Sequence, residues 1–468
     1  MEDRETTEIE SFESSDRRGA TFGKDWTKGS IFRNLLLLSW PMTVSEFLNM
    51  IGPTIDLIWV GKLGAAPIAG VGVAGMVVML MTSGVMGLAM GARAVVARFV
   101  GAGDAKGANH AAQQAFITAV FFVALVVTIG VVFAEPILIL MGVEPEVVAE
   151  GAAYMRIMFV GSGAMTFRML AEGIMQASGD AVTPMRISIF FRVFHTVLCP
   201  FLVFGWFIFP RLGASGAALT NVFAQGLGLF LAVWILFSGR TRLRLTLANL
   251  RFDAKMIWRI VRLGLPAAAS RMQRGGGQVI LVMLMIPFGT NAVAAHTILQ
   301  RVEMVFLTLT AGLGLGSGVL AGQNLGAAQP ERAEKGGWQA LGIAEVITVI
   351  GSGAILLWAE PVVRIFNSDP ALVELTSSFL RIAAAGLFLL GFVVVFQLLL
   401  TGSGDPVPAM IIEIAHMWMF ILPMSVILSK YTDLGMYGIR WAMAFGVILG
   451  AAAYLWYFRT GKWKHRKV

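Results

Sequence analysis

Twelve apolar runs, each long enough to cross a bilayer as a helix, constrain this chain more than any other feature. They cover about 34–60, 66–92, 109–133, 150–177, 185–208, 214–237, 258–285, 290–318, 337–358, 374–401, 408–429 and 435–458. A helical span needs about 20 mostly apolar residues. Breaks rich in Gly, Pro and charge separate the runs, among them GAGDAKGAN, SGDAVTP, NLGAAQPERAEKGG and GSGDPVP. Strands of a membrane barrel would be about 10 residues of alternating polarity. These runs are longer and apolar on most faces, so helices are expected. Only 14% of the residues are charged and the mean hydropathy is +0.76, against roughly 25% charged in soluble domains. The fold class is therefore an all-α membrane protein with 12 transmembrane helices.

Lys and Arg placement sets the expected orientation. The break after the sixth run carries Arg240, Arg242, Arg244, Arg251, Lys255, Arg259 and Arg262, and the C-terminus carries Arg459, Lys462, Lys464, Arg466 and Lys467. The breaks after the third and ninth runs are mainly acidic, with Glu135, Glu144, Glu146 and Glu150, then Glu360, Asp369 and Glu374. Both termini and the central linker are expected on the cytoplasmic side of a plasma or inner membrane. The polar segment 1–30 has no apolar stretch of a signal peptide and reads as a disordered cytoplasmic tail.

The two halves of the chain match without gaps at an offset of 225 residues. Pro41 pairs with Pro266, Gly64 with Gly289, Gly91 with Gly316 and Gly101 with Gly326. Gln114-Ala115 pairs with Gln339-Ala340, Arg156-Ile157 with Arg381-Ile382, and the SGD triplet at 178–180 with that at 403–405. Six spans per half is even, so both halves insert the same way up. Two six-helix lobes, 31–239 and 257–460, are expected around a pseudo-twofold axis along the membrane normal, with a cavity between them. The basic segment 240–256 joins them, and 461–468 is a basic cytoplasmic tail. A transporter that exposes the cavity alternately to either side has this architecture; a channel is the rival of another class.

In this frame a group of stretches resembles the MATE (multidrug and toxic compound extrusion) family. They are LSWPMTVSEFLNMIGPTIDLIWVGKLGAAPIAGVG, GARAVVARFVGAGDAKGA, MQASGDAVTPM, LGASGAALTNV, RLGLPAAAS and VLAGQNLGAAQPERA. The resemblance runs over roughly residues 31–460. It implies secondary active efflux of small amphipathic, often cationic drugs in exchange for inward Na+ or H+. It further implies that Asp56, in IDLIWVGKLG, is the first-helix acid tied to cation coupling.

The residues around Asp56 agree with that role on physical grounds. A carboxylate costs about 2.5–3.5 kcal/mol at mid-bilayer, so an intramembrane acid is a functional candidate. Pro53 lacks an N–H and clashes with the carbonyl four residues back, so a hinge in the first helix is expected there. Asn49 and Asp56 are seven residues apart and share a face. A carboxylate, an amide and a loose carbonyl suit Na+. Removal of a carboxyl from water suits H+ equally.

The fifth and sixth spans depart from the family pattern. Where some members carry Asn and Asp in the fifth helix, FHTVLCPFLVFG offers His195 and Cys199, and the sixth-helix position falls on Asn221. His195 is a candidate proton-responsive group beside Asp56. His195 and Cys199 alone are too few for a zinc site, so no metal other than Na+ at Asp56 is expected. In the second half, Arg274 stands where other members carry Glu, and the tenth helix offers only Arg381 and Gln397.

Arg271, Arg274 and Gln278 share one face of the seventh span; His296, Gln300 and Glu303 share one face of the eighth, with Arg301 beside them. Buried charges are normally paired, so Arg271 or Arg274 is expected to pair with Glu303. The sharper reading is an Arg that binds an anionic substrate group, or a Glu303 that releases its Arg on protonation. An exporter or flippase of lipid-linked or anionic amphipathic cargo is the alternative this raises. Arg168 and Glu172 are spaced to pair on the fourth helix; Glu413 and His416 share a face without an assigned role. Methionines cluster at Met76 to Met90 and at Met283 and Met285, and flexible thioethers suit a cavity that accepts many shapes.

Several classes are disfavoured. No G-x-x-x-x-G-K-[ST] phosphate loop, GxSxG elbow or HExxH helix is present, so neither ATP as an energy source nor an enzyme activity is indicated, and no organic cofactor is expected. The expected partners are a small substrate and the bilayer, with no nucleic acid, and the protein is expected to be a monomer.

Overall fold

The computed structural model describes residues 25–63, 65–142, 145–246 and 250–466. Twelve helical units follow one another: α1 (Ile31–Val60), α2 (Ala65–Gly101), α3 (Ala105–Leu140), α4 (Pro145–Ser178), α5 (Val182–Phe204), α6 (Gly213–Ser238), α7 (Ala254–Met285), α8 (Thr290–Gly326), α9 (Pro330–Arg364), α10, α11 and α12 (Met436–Arg459). α10 runs as Pro370–Leu387 and resumes as Leu390–Ser403; α11 runs from Pro406 to Lys430 and widens to a π-helix over Ala415–Ile421. Each unit covers one of the twelve apolar runs. Most of the expected tail lies outside the described residues.

Local chemistry fixes the helix ends. Ser30, Asp104, Asp253 and Asp369 cap α1, α3, α7 and α10, each side chain accepting a backbone N–H of the first turn. α5 and α6 stop at Gly205 and Gly239 in the left-handed conformation. α9 bends at Trp358, which lies off helical geometry in the turn before Pro361. α1 stays helical through both Pro41 and Pro53, so the expected hinge at Pro53 is not a break in the helix.

Ten helices among the described residues are apolar and long enough to span a membrane by themselves. α4 and α7 are not among them, and their polar residues are turned inward: Arg168, Glu172 and Gln176 of α4 are buried, and Arg271 and Arg274 of α7 line an internal cavity. Phe121, Leu125, Val132 and Phe133 of α3 are exposed, as a lipid-facing surface requires.

Helices α1–α6 form one lobe and α7–α12 the other. They meet through glycines that leave no room for a Cβ. A Cβ on Gly87 or Gly91 of α2 would strike the α7 backbone at Gly264, and one on Gly312 or Gly316 of α8 would strike Thr43 and Ser39 of α1. These contacts are equivalent under the 225-residue offset: 87 maps to 312, 91 to 316 and 39 to 264. Small residues let backbones approach closely in a membrane. All of them lie toward the ends of these helices where α1 begins and α2 and α8 finish. Leu35, Leu38 and Met42 of α1 are buried with Val319 and Leu320 of α8 in one apolar cluster.

The segments next to the termini are docked. Trp26 is buried and its Nε1 donates to Gly179 O at 3.1 Å. Trp463 is buried, and Lys464 pairs with Glu334 at 2.6 Å. Trp26 and Trp463 therefore anchor these two segments where they are described. The linker lies across the end of α3: Gln113 donates to Thr246 O and Gln114 to Arg251 O, both at 2.6 Å.

Candidate functional site

Asp56 sits near the end of α1, 3% exposed, and faces α5. His195 Nε2 lies 3.0 Å from Asp56 Oδ1, and Cys199 Sγ lies 3.9 Å from the same oxygen. His195 and Cys199 are both fully buried. One turn of α5 aligns them, as the i, i+4 spacing requires. The imidazole contact is close but not aligned as a hydrogen bond. Behind it, Arg192 Nη1 lies 3.3 Å from His195 Nδ1. Arginine can only donate, so Nδ1 accepts and the imidazole proton sits on Nε2, toward Asp56. The Arg192 guanidinium fits because Gly52 leaves space for it: a Cβ there would overlap the guanidinium.

Asp56, His195 and Cys199 form the one group among the described residues whose side chains could converge on a metal ion. Asn49 and Asn221 are not part of it. Asn49 is half-buried on α1 and no hydrogen bond joins it to Asp56 among the described residues. Asn221 instead accepts from Gln225 Nε2 at 3.5 Å; Gln225 in turn accepts from Arg168 Nε at 2.6 Å, and Arg168 pairs with Glu172 at 2.5 Å. The second polar cluster of this lobe is thus closed on itself around the Arg168–Glu172 pair.

Between the lobes lies a cavity in two adjoining compartments of about 180 and 50 Å³. Glu46 of α1, Met90 of α2 and Arg271 of α7 line both. Arg93 closes the smaller one; Arg274, Met304, Thr308 and Gln397 line the larger. Met86 and Met90 of the methionine cluster reach this cavity, while the side chains of Met76, Met79 and Met81 lie outside the described residues. Met283 faces outward and Met285 is in the core.

The pairing expected in the second lobe is corrected by the structure. Glu303 pairs with Arg440 of α12 at 2.7 Å, not with Arg271 or Arg274. Arg440 Nη1 also donates to His296 Nδ1 at 3.0 Å. Arg274 pairs with Glu413 of α11 at 2.7 Å and donates to Gln397 at 3.0 Å, which gives Glu413 the role it lacked. Gln300 Nε2 donates to Gln278 Oε1 at 2.8 Å. Between these pairs an internal cavity of about 140 Å³ is lined by Arg274, Gln278, Glu303, Glu413, His416 and Arg440. Helix spacing reveals partners within one helix; Arg440 and Glu413 come from helices far along the chain.

Four residues of these sites carried no assignment from the sequence. Arg192 had a local signal, since it is one turn before His195. Glu46 shares α1 with Asp56, and its signal was another acid in an apolar run. Arg93 lies inside GARAVVARF without a spacing partner, and Arg440 reads as an end-of-span charge.

The MatE family pattern matches residues 41–201 and 266–427, two stretches that begin 225 residues apart. The chain is 25% identical over 443 residues to a probable multidrug resistance protein NorM of Thermotoga maritima, covering 94% of each. It is 24% identical over 430 residues to a FAD transporter of Shewanella oneidensis, covering 91% of this chain and 94% of that one. Among solved structures, a MATE protein crystallised in its bent conformation superposes with a TM-score of 0.88 at 24% identity, over 93% of this chain and 96% of the other.

Proposed function

The chain belongs to the MatE family, and from its sites we propose that it exports small amphipathic compounds in exchange for inward-moving protons. The exchange takes place across a cytoplasmic membrane with both termini inside. The observation that carries the coupling reading is the Asp56–His195 contact of 3.0 Å. Hard cations take oxygen ligands, yet of the His, Cys, Asp and Glu side chains among the described residues, those that converge on Asp56 are an imidazole and a thiol. An imidazole and a thiol are poor partners for Na+. A proton needs only the carboxylate, which His195 Nε2 approaches at 3.0 Å while Arg192 meets the other ring nitrogen. Asp56 is then the group that changes charge.

α1 links this site to the rest. Asp56 lies near one end, Glu46 in the cavity between the lobes, and Ser39 and Thr43 against the glycines of α8. Seventeen residues of helix separate Ser39 from Asp56, about 25 Å at the usual rise. Protonation of Asp56 removes its attraction to the His195 N–H and to Arg192, which biases how α1 sits against α5. A gradient drives export only if ion binding favours one conformation over the other. The glycine-packed closure beside the termini supports the outward-facing state and argues against a continuous pore.

The test is export of a panel of fluorescent amphiphiles from proteoliposomes, driven separately by a pH gradient and by a Na+ gradient, with wild type and Asp56→Asn side by side. The expected result is export under the pH gradient alone, abolished by the substitution. Export driven by Na+ alone, or an unimpaired Asp56→Asn protein, overturns the proton reading.

A further inference from the structure

The cavity between the lobes holds more arginine than acid. Arg274 is committed to Glu413 and Gln397. Glu172, the acid of α4 near Arg93, is committed to Arg168. This leaves Arg93 and Arg271 facing a single acid, Glu46. Nε and Nη1 of Arg93 are buried without a hydrogen-bond partner. No hydrogen bond or ion pair to Arg271 is found among the described residues.

A guanidinium does not give up its proton in a protein. An unpaired one inside a membrane protein is costly, and such charges are kept where they meet a partner. The guanidinium fork matches a planar or tetrahedral oxyanion through two parallel hydrogen bonds. Arg93 stands on α2 of one lobe and Arg271 on α7 of the other, so one oxyanion held by both would bridge the lobes.

We propose that the cargo carries an oxyanion, a carboxylate or phosphate group, bound between Arg93 and Arg271, with its apolar body against Met86, Met90 and Leu315. This rests on the exporter reading and names the substrate class of the same cavity. Glu46 is the internal competitor: with no cargo present it neutralises part of the arginine charge, and the oxyanion displaces it. Separation of the lobes parts the two arginines and weakens the hold on the oxyanion, which is what release requires.

Binding is measured on the purified full-length protein in lipid nanodiscs by fluorescence anisotropy, independent of transport. The probe is one fluorophore carrying a carboxylate, a phosphate monoester, a methyl ester or a quaternary ammonium. The carboxylate or the phosphate form is expected to bind at least about tenfold more tightly than the ester and the ammonium forms, the scale of a charge-assisted hydrogen bond. Arg93→Gln and Arg271→Gln should each reduce that preference about tenfold. Glu46→Gln should strengthen oxyanion binding, and it removes an acid rather than an arginine, so it serves if the arginine variants fold poorly. Ammonium binding as tight as that of both oxyanion forms overturns the proposal, as does oxyanion binding indifferent to Glu46→Gln and both arginine substitutions. Preferential oxyanion binding in a folded protein that exports none of the probes supports this site and counts against the exporter reading instead.

Discussion

Arg98 of α2 and Gln323 of α8, 225 residues apart, make corresponding contacts from opposite lobes, with acceptors one residue out of register. Arg98 Nη2 donates to Ser403 O at 2.8 Å, at the end of α10, and Gln323 Nε2 donates to Ala177 O at 2.7 Å, near the end of α4. Each also covers the other repeat's glycine: a Cβ on Gly101 would strike the backbone of Gln323, and one on Gly326 the backbone of Arg98. The two halves thus clasp each other reciprocally beside the termini.

That clasp predicts how to open the molecule. Gly101→Leu should force α2 and α8 apart, at an overpacking cost of about 1–3 kcal/mol, and Arg98→Ala with Gln323→Ala should weaken the same closure. Spin labels on the exposed residues Lys106 and Lys335 report it. A longer-distance population is expected in both variants, and an unchanged distance distribution would show that the clasp does not set the conformation. Cys199 is buried, so it should not compete for the label.

The Arg440–Glu303 pair makes a stability prediction. Arg440 is 1% exposed and Glu303 20%. Glu303→Gln leaves a buried guanidinium without its counter-charge and is expected to cost about 3 kcal/mol. The double change Glu303→Leu with Arg440→Met removes both charges and should recover most of that. Thermal unfolding in detergent checks both. If Arg271 or Arg274 were the partner, Arg440→Met would be the mild change and the double variant would gain nothing.

Around Asp56 the two groups beside the carboxylate should separate by substitution. Cys199→Ala is expected to retain pH-driven export, because the thiol stands 3.9 Å away and is a weak donor. His195→Ala should lower export at least about tenfold by removing the imidazole that stands 3.0 Å from the carboxylate. Equal loss in both variants would point to a shared metal ion in place of a proton.

The linker offers a pH test outside the membrane. The Asp253 carboxyl is held below its ordinary value near 3.8, first by the side-chain contact with His110 and then by the Met256 N–H. His110 Nε2 lies 3.1 Å away. A lowered carboxyl pKa contributes stability above the ordinary value and loses it as pH falls through the lowered one. Hydrogen exchange at the capped amides of Lys255 and Met256 should therefore keep its protection, after correction for intrinsic rates, down to about pH 4 and lose it below. In Asp253→Asn that acid-dependent loss should disappear.

Gln114 fastens the linker twice: it donates to Arg251 O at 2.6 Å and accepts from Asp253 N at 3.0 Å while fully buried. Gln114→Ala should cost about 2 kcal/mol and speed tryptic cleavage around Arg251 and Lys255 several-fold. An unchanged cleavage rate would mean that the linker is held by its other contacts.

The sequence by itself determined the twelve helices, the duplication and the place of Asp56. Hydropathy over about 20 residues depends only on local composition, and a repeat shows in register whatever the fold. It also exposed the Arg168–Glu172 pair, since one helical turn brings those two together. The tertiary structure decided which charges meet across helices. Arg440 took Glu303 and Glu413 took Arg274, and Arg93 and Arg271 were left facing one acid. A charge in a membrane interior takes whichever partner the packing brings within reach. That choice is made here by residues more than a hundred positions apart, which no local spacing encodes.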